Sequence, residues 1–359
     1  MTVMTLADAS AKPGNNFNLI RLIAAWAVIY GHSYAISAES GQDLVNRLLH
    51  FKFAGGVAVD VFFVVSGFLI AASLERNRLP SFLASRAIRI LPALIVCVAL
   101  CAFVLGPVLS TAADYWHRPE VWHYFVSNAR LARKTEYFLP GVFETLRNHT
   151  INGSLWTLPI EARLYLWLAV FGLLSLNRRA RFNAIFIVLM AAGLLLSMRI
   201  PLSPTQSDFA YCRAFFLTGA FAWINRSAIP LSWPLLAATL VFAAVLHFTD
   251  YFYIGYFLAL SYGTLFLAFV PKLPVIRHHD FSYGLYLYGW PSQQLVQMLA
   301  PSTGAVGNTL YATLLAGTFA VASWFLIEAP ALRMKSRFRI KPAIAIEPMP
   351  TAPQETGSV

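Results

Sequence analysis

Ten apolar stretches of about 17–25 residues recur along this chain, at roughly 18–36, 55–73, 87–109, 154–176, 182–200, 209–225, 231–248, 252–270, 281–300 and 307–328. A run of that length crosses a hydrocarbon core of about 30 Å as an α-helix, which satisfies its own backbone hydrogen bonds in lipid. An all-α, polytopic membrane protein of about ten transmembrane helices is the fold expected. The composition agrees: 58% of residues are hydrophobic and only 12% charged, against about 25% charged in soluble domains. A polar N-terminal segment (1–16), one transmembrane domain (17–340) and a proline-containing, disordered tail (341–359) account for the 359 residues.

An even helix count puts both termini on one side. Lys12, Arg21, Arg76, Arg78, Arg86, Arg178, Arg179, Arg181, Arg226, Lys272, Arg277 and the Arg333–Lys341 cluster then fall on that same side, which the positive-inside rule makes cytoplasmic. The net charge of +11 is therefore a topology signal, and no nucleic-acid partner is needed to explain it. The long segment 110–153 falls outside. It is expected to be an ordered, aromatic-rich loop with an interfacial helix over Pro119–Arg133, Trp122 and Phe125 on its apolar side. Residues 1–16 lack the basic and apolar regions of a signal peptide, so the first helix directs insertion. Cys97, Cys101 and Cys212 all lie in apolar segments and read as buried packing residues.

Ionisable residues within spanning helices are expensive and mark function. Arg21 and His32 lie eleven residues apart in the first helix. That spacing returns them to one face, about 16 Å apart along the axis. By the rise per residue, His32 lies about 9 Å beneath the outer face, Asp60 about 6–8 Å and Glu161 roughly 10 Å. The shared level predicts a common site. There neutral His32 takes a proton from a hydroxyl, while Glu161 or Asp60 orients the ring. The same three residues also suit the proton relay of a transporter, the alternative reading. Gly55-Gly56 and Ser66-Gly67 permit close approach by a ligand or a neighbouring helix. Arg86 and Arg89, at i,i+3 where the third helix begins, suit a polyanionic cofactor, and Arg21 lies on the same membrane side. Trp156 sits where an interfacial anchor belongs. No histidine or cysteine spacing indicates a metal site, and no P-loop, dinucleotide fingerprint or nucleophile elbow occurs.

Taken in order, these elements resemble the acyltransferase-3 family of bacterial membrane acyltransferases, which modify exopolysaccharides, O-antigens and related glycans. The matching residues are Arg21 and His32; Phe62-Phe-Val-Val-Ser66-Gly67-Phe-Leu-Ile70; Arg86, Arg89 and Pro92; Ser154-Leu-Trp156-Thr-Leu-Pro-Ile-Glu161 followed by Tyr165; Ser282-Tyr283-Gly-Leu-Tyr286-Leu287; and Glu328-Ala-Pro330. One position departs: Gly289 stands before Trp290-Pro291 where many relatives have histidine. The resemblance implies an acyl-coenzyme A donor, acetyl-CoA first, and a glycan or lipid-linked saccharide acceptor, handled in the bacterial inner membrane without metal. It implies donor phosphates at Arg86, Arg89 and Arg21 beside Ser66 and Gly67. It places His32, Glu161 and Asp60 in catalysis, and Trp156, Tyr165, Ser282 and Tyr283 against substrate. A covalent acyl-imidazole is the variant mechanism.

Overall fold

A computed structural model describes residues 4–334 except 38, 40, 175–177, 198–203, 275, 277 and 278. Each predicted apolar stretch coincides with a helix: α1 Phe17–Ile36, α2 Ala54–Arg76, α3 Leu79–Leu100, α4 Thr157–Leu173, α5 Arg179–Ser197, α6 Pro204–Ile224, α7 Trp233–Leu246, α8 Phe252–Phe269, α9 Ser282–Leu299 and α10 Ala305–Ser323. A π-helical turn, Cys101–Leu105, carries α3 on to Leu109, and another, Trp324–Glu328, carries α10 on to Met334. Among the described residues there are no strands, only an isolated bridge between Thr5 and Pro230. Length and apolarity mark five helices as membrane spans: α1, α2, α3 with its extension, α8, and α10 with its extension. Elsewhere α4 and α7 are only 17 and 14 residues long, and α9 has its apolar run broken by Ser292, Gln293, Gln294 and Gln297, all buried.

The polar N-terminal segment is docked. A helix over Leu6–Ala11, closed by a Thr5–Asp8 capping box, hangs from the turn between α6 and α7. Leu6 and Ala7 amides donate to the Ile229 and Arg226 carbonyls, and the Leu231 amide to Met4. The tail assigned to 341–359 lies outside the described residues.

Helix α2 is central, packing against α1, α4, α6 and α8. Its contact with α6 requires glycine on both sides. A Cβ on Gly67 would strike the Phe216 carbonyl, and one on Gly219 the Val64 carbonyl. Helices α1, α9 and α10 pack on one another. A buried polar seam joins the three: Gln293 Nε2 donates to the Ile29 carbonyl and Ser33 Oγ, Asn308 Nδ2 to the Gln293 carbonyl, and Thr309 Oγ1 to Ser33 Oγ.

In the 110–153 segment the expected helix runs Pro119–Ala129. It is shorter than predicted because the chain turns at Leu131, whose φ is +54°. Its inward face is Val121, Tyr124 and Asn128 rather than Trp122, which stays 52% exposed at the rim against Phe103. Phe125 does pack inward, also on Phe103.

Backbone cannot step aside as a side chain can. Gly67→Ala is therefore expected to destabilise the protein by roughly 1–3 kcal/mol, read as a lowered thermal midpoint in detergent.

Candidate active site

One end of the bundle gathers three arginines. α1 supplies Arg21 and α3 supplies Arg86 and Arg89. Arg89 is saturated: Nη1 donates to Glu328 Oε2 at 2.9 Å and Nη2 to Asp280 Oδ2 at 2.6 Å, with its guanidinium 5.4 Å from the Tyr283 ring centre. Arg21 meets the same Asp280 oxygen at 2.5 Å. Ser282 Oγ takes the other oxygen of Asp280. Burial alone pushes the Asp280 carboxyl up, but the two guanidinium groups outweigh it and hold it at about 2. It is thus ionised at any physiological pH. Arg86 differs. Its Nε donates to Ser85 Oγ at 3.2 Å, and among the described residues it has no carboxylate partner.

From this end a cavity of about 110 Å³ runs into the bundle, lined by Arg21, Arg86 and Arg89, by apolar α2 residues such as Phe62 and Phe63, and by Glu161, Tyr165, Ser282 and Tyr283. Helix α4 begins at Thr157, with Pro159 in its first turn, where proline costs no hydrogen bond. That start sets Glu161 one turn in. Its Oε1 accepts from Ser66 Oγ at 2.8 Å and from the Tyr165 hydroxyl. A carboxylate held by two hydroxyls thus sits in an otherwise apolar wall, within the field of Arg86. The far wall is Val59, Phe62, Thr157 and Tyr286, with the Tyr286 hydroxyl bonded to Thr157 Oγ1 and the Ser154 carbonyl, both at 2.6 Å.

His32 lies just beyond that wall. Four positions from Val59, Gly55 abuts the imidazole; a Cβ there would lie 3.3 Å from His32 Cε1. Four positions from Tyr286, the Trp290 ring stands 4.7 Å from the imidazole, edge to face. Four residues are about one helical turn, or 6 Å. Phe53 flanks the ring at 5.2 Å. His32 Nδ1 lies 2.7 Å from the Val28 carbonyl oxygen, which only accepts. The proton therefore belongs on Nδ1, leaving the Nε2 lone pair free to accept one. Among the described residues Nε2 has no hydrogen-bond partner.

A family model described as an acyltransferase domain matches residues 15–328. The chain belongs to the acyltransferase-3 family. It is 31% identical over 299 residues to an O-acetyl transferase of Shigella phage Sf6, covering 79% of this chain and 85% of that protein. It is 26% identical over 372 residues to nodulation protein 10 of Rhizobium leguminosarum bv. viciae, covering 92% and 96%. No solved structure matches. Family membership and the apolar helices together make the chain a multi-pass membrane acyltransferase.

Within this acyltransferase, the expected meeting of His32, Asp60 and Glu161 does not occur. Neither depth nor azimuth matches: on α2, Gly55 abuts His32 and Ser66 bonds Glu161, eleven residues or about 16 Å apart along the axis. Asp60 is one residue on from Val59, hence about 100° round α2, and turns away from the cavity. It accepts from Lys52 Nζ and from Tyr256 of α8, each at 2.6 Å. Glu161 belongs to the cavity, and the Val28 carbonyl orients the imidazole. Ser66 reaches the cavity, whereas Gly67 faces α6 and serves helix packing. Trp156 belongs to a 3₁₀ turn and packs against the hydrophobic core; it does not line the cavity. Arg21, Arg86, Arg89, Tyr165, Ser282 and Tyr283 do line it. Gly289, in place of the histidine of many relatives, lets α9 approach α1, since a Cβ would meet Ile29 Cγ1 at 2.9 Å. Sequence reasoning missed Asp280, Phe53 and Trp290. Asp280 had a signal, being the sole acid between Lys272 and Tyr283.

Removing one partner from a buried ion cluster leaves charges uncompensated. Arg89→Ala is expected to lower stability by about 3–5 kcal/mol, while Arg86→Ala leaves the thermal midpoint within experimental scatter. Thermal unfolding of both purified variants checks the pair.

Proposed function

We propose that this acyltransferase moves an acetyl group from cytoplasmic acetyl-CoA to a hydroxyl of an extracytoplasmic or lipid-linked glycan, in the bacterial inner membrane. The Shigella phage relative named an O-acetyl transferase supports the acetyl group. The observation that carries the reading is an alignment. A guanidinium without a carboxylate partner, Arg86, stands at one end of the cavity, and an imidazole with a free acceptor nitrogen stands one helical turn past the other.

In this reading Arg86 takes a donor phosphate, since guanidinium groups suit phosphate oxygens. Arg21 and Arg89 add positive potential, although Asp280 and Glu328 already neutralise them. The cavity receives the pantetheine arm, with Glu161, Ser66 and Tyr165 as hydrogen-bonding partners for its amides. His32 Nε2 takes the proton of the acceptor hydroxyl, whose oxygen attacks the thioester carbonyl. Collapse of the tetrahedral intermediate breaks the carbon–sulfur bond, and the leaving thiolate receives the proton from the imidazolium. The Nδ1–H bond to Val28 keeps the ring in one tautomer through both transfers. Between cavity and base stands the Tyr286–Thr157–Ser154 bonded layer, so the thioester reaches His32 only when that layer yields by about one turn.

His32→Ala is expected to insert normally and abolish acetylation, read by mass spectrometry of surface glycan from cells carrying either form. Acetylation retained in that variant would remove the base. Arg86→Ala is expected to weaken acetyl-CoA binding by at least about tenfold, the scale of a lost charge-assisted contact. Titration of acetyl-CoA into purified protein measures it, and unchanged affinity would take the phosphate site away from Arg86.

A further inference from the structure

Lys52 and Asp60 form an ion pair almost wholly inside the protein, with side chains 6% and 1% exposed and Nζ 2.6 Å from Oδ2. Tyr256 donates to the same oxygen at 2.6 Å. Pairing two charges in an interior rarely adds net stability, because desolvation offsets the attraction. What this pair does is tie three pieces of chain together: the segment before α2, the body of α2, and α8. The Lys52 stem lies along α2 at Gly56, where a Cβ would come within 2.9 Å of Lys52 Cγ.

The residue after Lys52 is Phe53, which flanks the imidazole. Its ring fits over two glycines; a Cβ on Gly31 would come 2.8 Å from Phe53 Cδ2, and one on Gly55 3.1 Å from Cζ. Phe53 is half-buried, so it forms the outer cover of His32, and Trp290, the second ring against the imidazole, is held by Nε1 donating to the Thr150 carbonyl. The segment is pinned upstream as well. Asp43 caps the helix Leu44–Leu49 through the Asn46 amide at 2.9 Å and accepts the Ala54 amide at 3.1 Å. Between these anchors the chain reverses at His50, whose φ is +63°.

We propose that Lys52, Asp60 and Tyr256 form a buried latch that holds Phe53 over His32, and that all four are positioning residues for acyl transfer. This rests on His32 as the proton acceptor. The latch adds a second constraint on the ring to the hydrogen bond with the Val28 carbonyl. It gives Asp60 a mechanical role in place of a proton-carrying one.

The test measures transfer from labelled acetyl-CoA to the cell's own glycan fraction in isolated membranes. The variants are Lys52→Met, Asp60→Leu, the double Lys52→Met/Asp60→Leu, Phe53→Ala and Lys52→Met/Phe53→Ala. Each single variant is expected to lower kcat by about tenfold or more, a scale set by small misplacements of reacting groups. KM for acetyl-CoA is expected to stay within about twofold, a split that general misfolding would not give. The charge-free double is about as slow as either single, because the tie is absent in all three. Lys52→Met/Phe53→Ala is no slower than either single, since both act through one cover. An inactive charge-free double beside an unimpaired Phe53→Ala would overturn the latch and restore proton carriage. Effects of Lys52 and Phe53 that multiply would overturn it too. Half-buried Phe53 keeps the test open should loss of one charge prevent accumulation. Activity in His32→Ala would instead strike the underlying reading, and a dead His32→Ala beside fully active Lys52 and Phe53 variants would sink the latch alone.

Discussion

Arg89 is the hinge pin of this molecule. It carries a full charge into an apolar bundle, where an unpaired ion is prohibitive, so the fold must bring carboxylates to it. Asp280 comes from the start of α9 and Glu328 from a π-helical turn at the foot of α10. Arg21 of α1 shares Asp280. One guanidinium therefore fixes the relative height of four helices at one end, and with it the mouth of the cavity. The π-turn fits this need, since such turns re-aim a side chain within a helix and recur at functional sites. Neutralising Arg89 and Arg21 in this way leaves Arg86 as the cation of the cavity mouth without a carboxylate partner among the described residues.

Around the imidazole the other end of the bundle is organised by shape and by neutral hydrogen bonds, with the Lys52–Asp60 pair tying down the segment behind Phe53. His32 is gripped by two aromatic edges, a carbonyl and a glycine. Glycines at 31, 55 and 289 bring α1, α2 and α9 close enough for that grip. The polar seam of Ser33, Gln293, Asn308 and Thr309 fixes α1 in rotation immediately beside the imidazole. Charge thus dominates the arginine end, and packing dominates the surroundings of the imidazole.

The helical layout was legible because an apolar run of spanning length has few alternatives in lipid. The residues of the cavity were largely legible too: Arg21, Arg86, Glu161 and Tyr165 stand out as polar positions in apolar helices. Height counted at a fixed rise per residue depends on where each helix starts, and α4 starts at Thr157 after a largely buried 3₁₀ turn, which carries Glu161 down to Ser66 while His32 stays beside Gly55. Direction around each helix could not be counted, because it depends on which neighbour each face meets. Asp60 faces α8 and Lys52, contacts separated by up to 196 residues, and nothing local in the sequence encodes that choice. Gly67 misled for a related reason, since a small residue accommodates a backbone as readily as a ligand. Phe53 and Trp290 were invisible because aromatic residues abound at membrane boundaries.

Helix α9 buries every residue from Ser282 to Gln294, and the side-chain amide nitrogens of Gln293 and Gln294 donate to carbonyls of α1 and of the segment near Thr150. Such a segment is poorly suited to partition into lipid by itself during synthesis. Its insertion is then cooperative, waiting for α1 to offer acceptors and for α10 to close the seam. This wall of the protein would be the last part assembled, and a nascent chain halted before residue 305 would hold the His32 imidazole in place without the helix that completes its surroundings.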